Sequence, residues 1–228
     1  MTMNAIRNNI PNAITSLNLL FGCMACIAAL SNGCLVAPYI IAFYFIALSA
    51  VADFLDGLVA RWLHAVSAIG KELDSLADLV SFGLAPALIL YSKMSQYDDL
   101  LALFALLLPV FGALRLARFN VDTNQATTFT GLPIPANAIF WIGFTDWYYQ
   151  HDCPVWIVVL LIVVMSLLMV CNLRMFSLKM HNLSSLKENW AQYLQIVATV
   201  AFVVWLGIPG LAAAIALYVL LSIIKREK

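Results

Sequence analysis

Charged residues are scarce in this chain, and their scarcity limits the class of protein it can be. Only 11% of the 228 residues are Asp, Glu, Lys or Arg, while 64% are hydrophobic. Soluble globular domains carry about 25% charged and about 45–50% apolar residues. The composition therefore excludes an ordinary water-soluble domain and indicates a membrane protein. The 12 basic and 12 acidic residues cancel, which excludes a strongly basic nucleic-acid-binding protein and an acidic tail protein.

Cysteine and histidine are too few and too dispersed to form an obvious reactive or metal site. Cys23 and Cys26 are spaced as CxxC, but they lie in an apolar stretch without further ligands, so we interpret them as packing residues. No Ser, Cys or His is placed as an obvious covalent nucleophile. The N-terminus does not resemble a signal peptide, because Arg7 precedes a polar stretch and the first apolar run continues into a multi-span pattern.

Apolar stretches bounded by polar, Pro or Gly residues predict an all-α, polytopic membrane bundle of eight transmembrane helices. Asn12 follows Pro11 and is predicted to cap the first helix. A tight turn at 207–210 is predicted to divide the last apolar region in two. The predicted spans are 12–30, 36–61, 71–91, 98–119, 132–149, 154–172, 189–206 and 209–224.

The basic residues predict the orientation of these helices. With eight spans, one side of the membrane receives eleven of the twelve basic residues and the other receives only Lys93. Since basic residues concentrate in cytoplasmic loops, we expect both termini to be cytoplasmic. Seven spans would place the basic C-terminal residues 225–228 outside, so eight is the better number.

Four aspartates lie at the cytoplasmic ends of the second and third predicted spans. Asp53 and Asp56 are three residues apart, and Asp74 and Asp78 are four apart, so each pair shares one helix face. The eight residues 62–69 reverse the chain, so the two faces can meet. Carboxylates at membrane depth are costly and are functional candidates by default.

The excess negative charge of this group narrows its chemistry. One arginine, Arg61, cannot neutralise four carboxylates, so protons or divalent cations must supply the remaining positive charge. Oxygen ligands favour Mg²⁺, Mn²⁺ or Ca²⁺ over zinc, and two such ions bridged by carboxylates are suited to phosphoryl chemistry. Two alternatives stay open, namely protonated carboxylates packed between helices and a proton or cation transport path.

The spacing of these residues resembles the signature of the CDP-alcohol phosphotransferase family. That signature is D-x2-D-G-x2-A-R-x8-G-x3-D-x3-D, and the chain matches all eight defined positions, which are Asp53, Asp56, Gly57, Ala60, Arg61, Gly70, Asp74 and Asp78. The resemblance implies that the four aspartates bind two divalent cations, which hold the diphosphate of a CDP-linked lipid. It also implies that Asp78 acts as the base on the acceptor alcohol, and that the enzyme is a homodimer.

The resemblance also suggests which residues bind CDP-diacylglycerol. Asn12 and Thr15 open the first span near the nucleotide, although helix capping is the structural alternative. Arg61 suits a phosphate, with snorkelling to lipid headgroups as the alternative. The expected lipid-binding residues are Asn12, Thr15, Asp56, Gly57, Ala60, Arg61 and Gly70.

Three further segments resemble the phosphatidylserine synthase branch of this family. They are residues 10–18, 79–87 and the pair 115–120 with 131–136. Weaker similarity at 168–170 and 174–179 extends the resemblance to about 10–180 of a single domain 1–228. Residues 187–228 form two extra spans. The branch implies transfer of a phosphatidyl group from CDP-diacylglycerol to L-serine, in the lipid bilayer and facing the cytoplasm, at the inner or plasma membrane if the source is bacterial.

Residues outside the signature are candidates for binding the acceptor. Arg115 and Arg118 can bind the carboxylate of serine or a phosphate, or they can serve as positive-inside anchors. Ser81 can bond the acceptor or its own helix backbone. Alternatives with the same chemistry use glycerol 3-phosphate, an inositol phosphate or choline, and the more distant alternative is a cation or proton transporter.

Overall fold

The computed structural model describes residues 3–31, 37–65, 67–121, 129–175 and 189–224. These residues form eight helices and one antiparallel pair of two-residue strands, which confirms the predicted all-helical architecture. The strands are β1 (Phe129–Thr130) and β2 (Arg174–Met175). The helices are α1 (Met3–Leu30), α2 (Pro38–Trp62), α3 (Ala68–Met94), α4 (Asp99–Val121), α5 (Ile134–Gln150), α6 (Val155–Val170), α7 (Trp190–Leu206) and α8 (Gly210–Ile224).

Within the described ranges, four helices are long and apolar enough to cross a membrane. They are Asn9–Leu30 within α1, and the whole of α2, α3 and α4. Three shorter apolar helices, α6, α7 and α8, have 15 to 17 residues. The chain is therefore a helical membrane protein, while eight crossings and cytoplasmic termini stay predictions.

The start of α1 differs from its prediction. The helix begins at Met3 and contains Pro11 in its interior, so Asn12 is not an N-cap. Asparagine is a favoured N-cap residue, and its place directly after Pro11 suggested a start at this point. The tight turn after α7 was predicted correctly, since α7 ends at Leu206 and α8 begins at Gly210.

Helices α3 and α4 each contain an irregular turn. In α3, Ala68–Asp78 and Ala85–Met94 are α-helical and flank a π-helical turn, Leu79–Leu84. In α4, a 3₁₀ turn at Leu103–Leu106 separates Asp99–Ala102 from Leu107–Val121. Ser67 caps α3 by accepting a 3.0 Å hydrogen bond from the Gly70 amide.

The chain divides into two compact units, with the boundary between residues 113 and 114 inside α4. In the first unit, α1 packs along α2 and also contacts α3. In the second unit, α8 packs against α5 and α7. The aspartates belong to the first unit, where α1, α2 and α3 position them.

Candidate active site

Three aspartate carboxylates meet where α2 and α3 face each other. Asp53 and Asp56 extend from one face of α2, and Asp74 extends from α3. One oxygen atom of each carboxylate lies within 4.8 Å of the other two. Asp56 is buried, with 6% of its surface exposed, and the other two are partly buried. The structure thus brings together three of the four aspartates of the signature.

Asp78 lies beside this trio and is not part of it. It extends one helical turn beyond Asp74, within electrostatic range of all three carboxylates, and its Oδ1 atom is buried without a hydrogen-bond partner. The sequence assigned Asp78 two roles, base and metal ligand. Its separation from the close group distinguishes it from the other three aspartates.

The trio and Asp78 fit divalent cations by their unpaired oxygen atoms. Asp56 Oδ2, Asp74 Oδ1 and Asp78 Oδ1 are all buried without hydrogen-bond partners. A buried carboxylate oxygen without a partner is costly, so such a group requires a proton or a cation nearby. The donor atoms are all oxygens, which is the ligand type that Mg²⁺ and Mn²⁺ prefer. The three aspartates of the trio can therefore hold the cations that the signature implies, with Asp78 next to them.

A cavity of about 310 Å³ opens next to the carboxylates, between α1, α2 and α3. All seven residues expected to bind the lipid substrate line it. They are Asn12, Thr15, Asp56, Gly57, Ala60, Arg61 and Gly70. Pro11, Ala65, Ser67, Lys71 and Asp74 complete the lining. The cavity combines carboxylates with basic side chains, so a phosphate-bearing ligand can meet Arg61 or Lys71, and cations held by the aspartates would supply further positive charge.

The sequence's alternative role for Asn12 and Thr15, helix capping, is wrong. Both residues lie inside α1, and Thr15, which is 3% exposed, donates a hydrogen bond from Oγ1 to the Pro11 carbonyl at 3.0 Å. Arg61 is exposed at the end of α2, and its Nε atom donates to the Gly57 carbonyl at 2.8 Å. That bond holds the guanidinium group along the cavity wall.

Two polar residues of the cavity, Ser67 and Lys71, were not assigned to the site from the sequence. Ser67 carried a usable signal, because a serine directly before a helical run is a common N-cap. Lys71 was counted only among the basic residues of the cytoplasmic side. Its position directly after the signature glycine places it in the first turn of α3, at the cavity.

Ser81 is fully buried and does not line the cavity. Its hydroxyl group lies 2.8 Å from Asn18 Oδ1 and 3.1 Å from the Asn18 carbonyl oxygen on α1. The alternative that Ser81 bonds its own helix backbone is therefore not observed. Asn18 was missed from the sequence, although a polar side chain in an apolar span is itself a signal of function.

Arg115 and Arg118 lie in the second unit and line one pocket together. Thr130, Met169 and Val170 lie in the same pocket. Arg118 Nη1 donates a 2.7 Å hydrogen bond to the Val170 carbonyl. Both arginines thus line one small pocket, of about 10 Å³, and their ligand stays a prediction.

Apolar helices of membrane-spanning length, combined with a carboxylate cluster beside a cavity, fit the class of membrane-embedded enzymes. The family model described as CDP-alcohol phosphatidyltransferase matches residues 8–148, and the chain belongs to this family.

Three similar proteins carry the name CDP-diacylglycerol–serine O-phosphatidyltransferase. The protein from Helicobacter pylori strain 26695 is 30% identical over 222 residues, which cover 94% of this chain and 90% of that protein. The protein from Mycobacterium tuberculosis strain CDC 1551 is 35% identical over 226 residues, covering 94% and 73%. The protein from Methanocaldococcus jannaschii is 41% identical over 135 residues, covering 59% of each chain.

Proposed function

We propose that this protein transfers the phosphatidyl group of CDP-diacylglycerol to the hydroxyl group of L-serine, giving phosphatidylserine and CMP. One observation carries the proposal: the seven residues expected to bind the lipid line a single cavity beside the aspartate trio. The names of the similar proteins support serine as the acceptor.

The proposed reaction is a single in-line displacement at the phosphorus atom nearest the diacylglycerol. The serine oxygen forms a bond to this phosphorus, and the bond from phosphorus to the bridging oxygen breaks, so that the electron pair leaves with CMP. Asp78 takes the proton of the serine hydroxyl group. Divalent cations, when bound, supply positive charge that offsets the charge of the diphosphate and of the leaving CMP.

The cavity residues orient the lipid substrate for this displacement. Asp53, Asp56 and Asp74 would hold the cations, with Asp78 beside them as the base, and Arg61 would pair with a phosphate through its planar guanidinium group. Gly57 and Ala60 present only small side chains on the wall of α2, which leaves room for the diphosphate near the backbone.

Arg115 and Arg118 are the candidate receptors for the serine carboxylate. A bidentate arginine matches the planar geometry of a carboxylate, and the two guanidinium groups share one pocket. The same pair would suit the phosphate of glycerol 3-phosphate or of an inositol phosphate, so these acceptors, with choline, are the competing substrates.

The proposed enzyme crosses the membrane eight times, with both termini and the active site on the cytoplasmic side. Eleven of the twelve basic residues then face the cytoplasm. Dimerisation is what the family resemblance implies.

Release of CMP tests the proposal directly. The purified protein is incubated with CDP-diacylglycerol and Mg²⁺ or Mn²⁺, and serine, glycerol 3-phosphate, an inositol phosphate and choline are added in separate reactions. We expect CMP release with serine alone. Release only with another acceptor contradicts serine, and no release with any alcohol contradicts the enzyme. In the last case, cation or proton flux into liposomes would support a transporter.

A further inference from the structure

Asn18 connects the buried face of α1 to the proposed catalytic base. Asn18 is fully buried, and it lies in α1, a mostly apolar helix of the first unit. Ser49 Oγ donates to the Asn18 carbonyl oxygen at 3.2 Å, and Ser81 Oγ lies 2.8 Å from Asn18 Oδ1. The Asn18 side chain lies beside the carboxyl group of Asp78. Two serines from two other helices therefore hold this asparagine.

The hydrogen bonds determine which end of the amide faces Asp78. Ser81 Oγ lies closer to Asn18 Oδ1, at 2.8 Å, than to the Asn18 carbonyl oxygen, at 3.1 Å, so the single hydroxyl hydrogen of Ser81 goes to Oδ1. The opposite amide orientation would turn Oδ1 toward the Asp78 carboxylate and bring two acceptors together. The Nδ2 group is therefore the end directed at Asp78.

Both atoms at this contact lack a hydrogen-bond partner elsewhere. Asn18 Nδ2 and Asp78 Oδ1 are each buried and unpaired. A buried donor without an acceptor is costly, and a buried carboxylate oxygen without a partner costs more. One donor and one acceptor side by side remove both costs when a small movement brings them into a hydrogen bond.

The backbone around this contact is specialised for close packing. Ser81 lies in the π-helical turn that begins directly after Asp78, and such turns are frequent at functional sites. On α1, a methyl group at Gly22 would overlap Ser81 Oγ. Glycine at this position therefore lets α1 approach closely enough for Ser81 to reach Asn18.

We propose that Asn18 is a positioning residue for Asp78: its Nδ2 group holds Asp78 Oδ1 and leaves Oδ2 to face the acceptor hydroxyl. Ser81 acts one step further back, because it fixes the amide of Asn18. The proposal rests on the proposed function, in which Asp78 takes the proton of the acceptor. In this proposal Asn18 and Ser81 act through Asp78 and do not themselves touch the substrate.

The test compares kcat with substrate and cation affinity in three variants. Asn18→Leu keeps a similar volume and removes the amide, so we expect kcat to fall about 100-fold, since misplacing a reacting group by about 1 Å costs that much. The KM for CDP-diacylglycerol and the Mn²⁺ affinity should stay within about threefold. Ser81→Ala should lower kcat by a smaller factor. Ser222→Ala is the matched control, because it removes a buried serine hydrogen bond to a helix carbonyl in the second unit, away from Asn18, and kcat should be unchanged.

The double variant tests whether Ser81 acts through Asn18. If it does, Asn18→Leu/Ser81→Ala loses no more kcat than Asn18→Leu alone, because the two residues are coupled. An Asn18→Leu protein with wild-type kcat contradicts the proposal. A parallel loss of kcat, Mn²⁺ binding and thermal stability also contradicts it, by showing a structural role. A wild-type protein that releases no CMP with any alcohol contradicts the proposed function, and this proposal with it.

Discussion

Asn12 on α1 lies against Gly70 on α3, so closely that a methyl group on Gly70 would come within 2.9 Å of Asn12 Oδ1. The same methyl group would lie 3.0 Å from Ser67 Oγ, which caps α3. Both Asn12 and Gly70 line the cavity beside the aspartates. The glycine of the signature is thus required for the approach of two helices as well as for the space of the cavity.

The variant Gly70→Ala should weaken lipid binding through this contact. The added methyl group must push Asn12 or Ser67 aside, and both belong to the cavity wall. We expect the KM for CDP-diacylglycerol to rise about tenfold, because a 1.4 kcal/mol loss of binding corresponds to that factor. Mn²⁺ affinity should be nearly unchanged, since Gly70 is not a ligand. Steady-state kinetics and Mn²⁺ titration measure both, and an unaltered KM would show that the contact is not used.

Gly57→Ala should lower activity without lowering thermal stability. A methyl group at this position has no atom within 4 Å, so the protein itself does not require glycine there. Alanine in a helix interior is about 1 kcal/mol more favourable than glycine, so thermal stability should be equal or higher. Because the methyl group extends into space that the diphosphate needs, CMP release should fall. A variant as active as the wild type would place the diphosphate away from Gly57.

The helices and the carboxylate trio could be predicted because their signals are local. Apolar runs determine the helices, and the spacing of Asp53, Asp56 and Asp74 determines which faces can meet. The start of α1 could not be predicted from Asn12 and Pro11. Asparagine is a favoured N-cap, but the helix continues through Pro11 at a cost that packing on α2 and α3 can offset.

Asn18 and Ser81 show the limit of sequence spacing. They are 63 residues apart, and their hydrogen bond depends on how closely α1 approaches α3. The π-helical turn that contains Ser81 also shifts the register after Asp78 away from a regular α-helix. A projection onto a regular α-helix therefore placed Ser81 on the aspartate face and predicted that it binds the acceptor. In the structure its hydroxyl group is buried against α1.

Arg115 and Arg118 can be assigned by comparing two Michaelis constants. If they bind the serine carboxylate, Arg115→Gln and Arg118→Gln should each raise the KM for serine about 10- to 100-fold, as expected for hydrogen bonds to a charged group. The KM for CDP-diacylglycerol should change little. Arg61→Gln is the comparison variant and should show the reverse pattern. A rise in the lipid KM for Arg115→Gln would assign the pair to a lipid phosphate, and unchanged constants would support membrane anchoring.

Asp56→Asn and Asp74→Asn should lose cation binding. Each substitution removes a charged oxygen ligand from the trio, so Mn²⁺ affinity should fall at least 10-fold, measured by the electron paramagnetic resonance signal of free Mn²⁺. Asp146→Asn is a matched control: Asp146 is a buried aspartate of α5 that accepts a 2.9 Å hydrogen bond from Gln150 and lies outside the trio. It should bind Mn²⁺ like the wild type. Equal losses in all three variants would indicate damage to the fold rather than to the site.

Asp78→Asn should abolish turnover while leaving binding largely intact. The asparagine cannot take the proton of the acceptor, and general base catalysis contributes about 10²- to 10⁴-fold to such reactions. Asp78 lies beside the trio rather than within it, so Mn²⁺ and CDP-diacylglycerol should bind with affinities near those of the wild type. Single-turnover CMP release and Mn²⁺ titration on the same preparation measure the two effects separately. Substantial remaining turnover would contradict the base assignment, and a loss of Mn²⁺ binding equal to that of Asp74→Asn would make Asp78 chiefly a ligand.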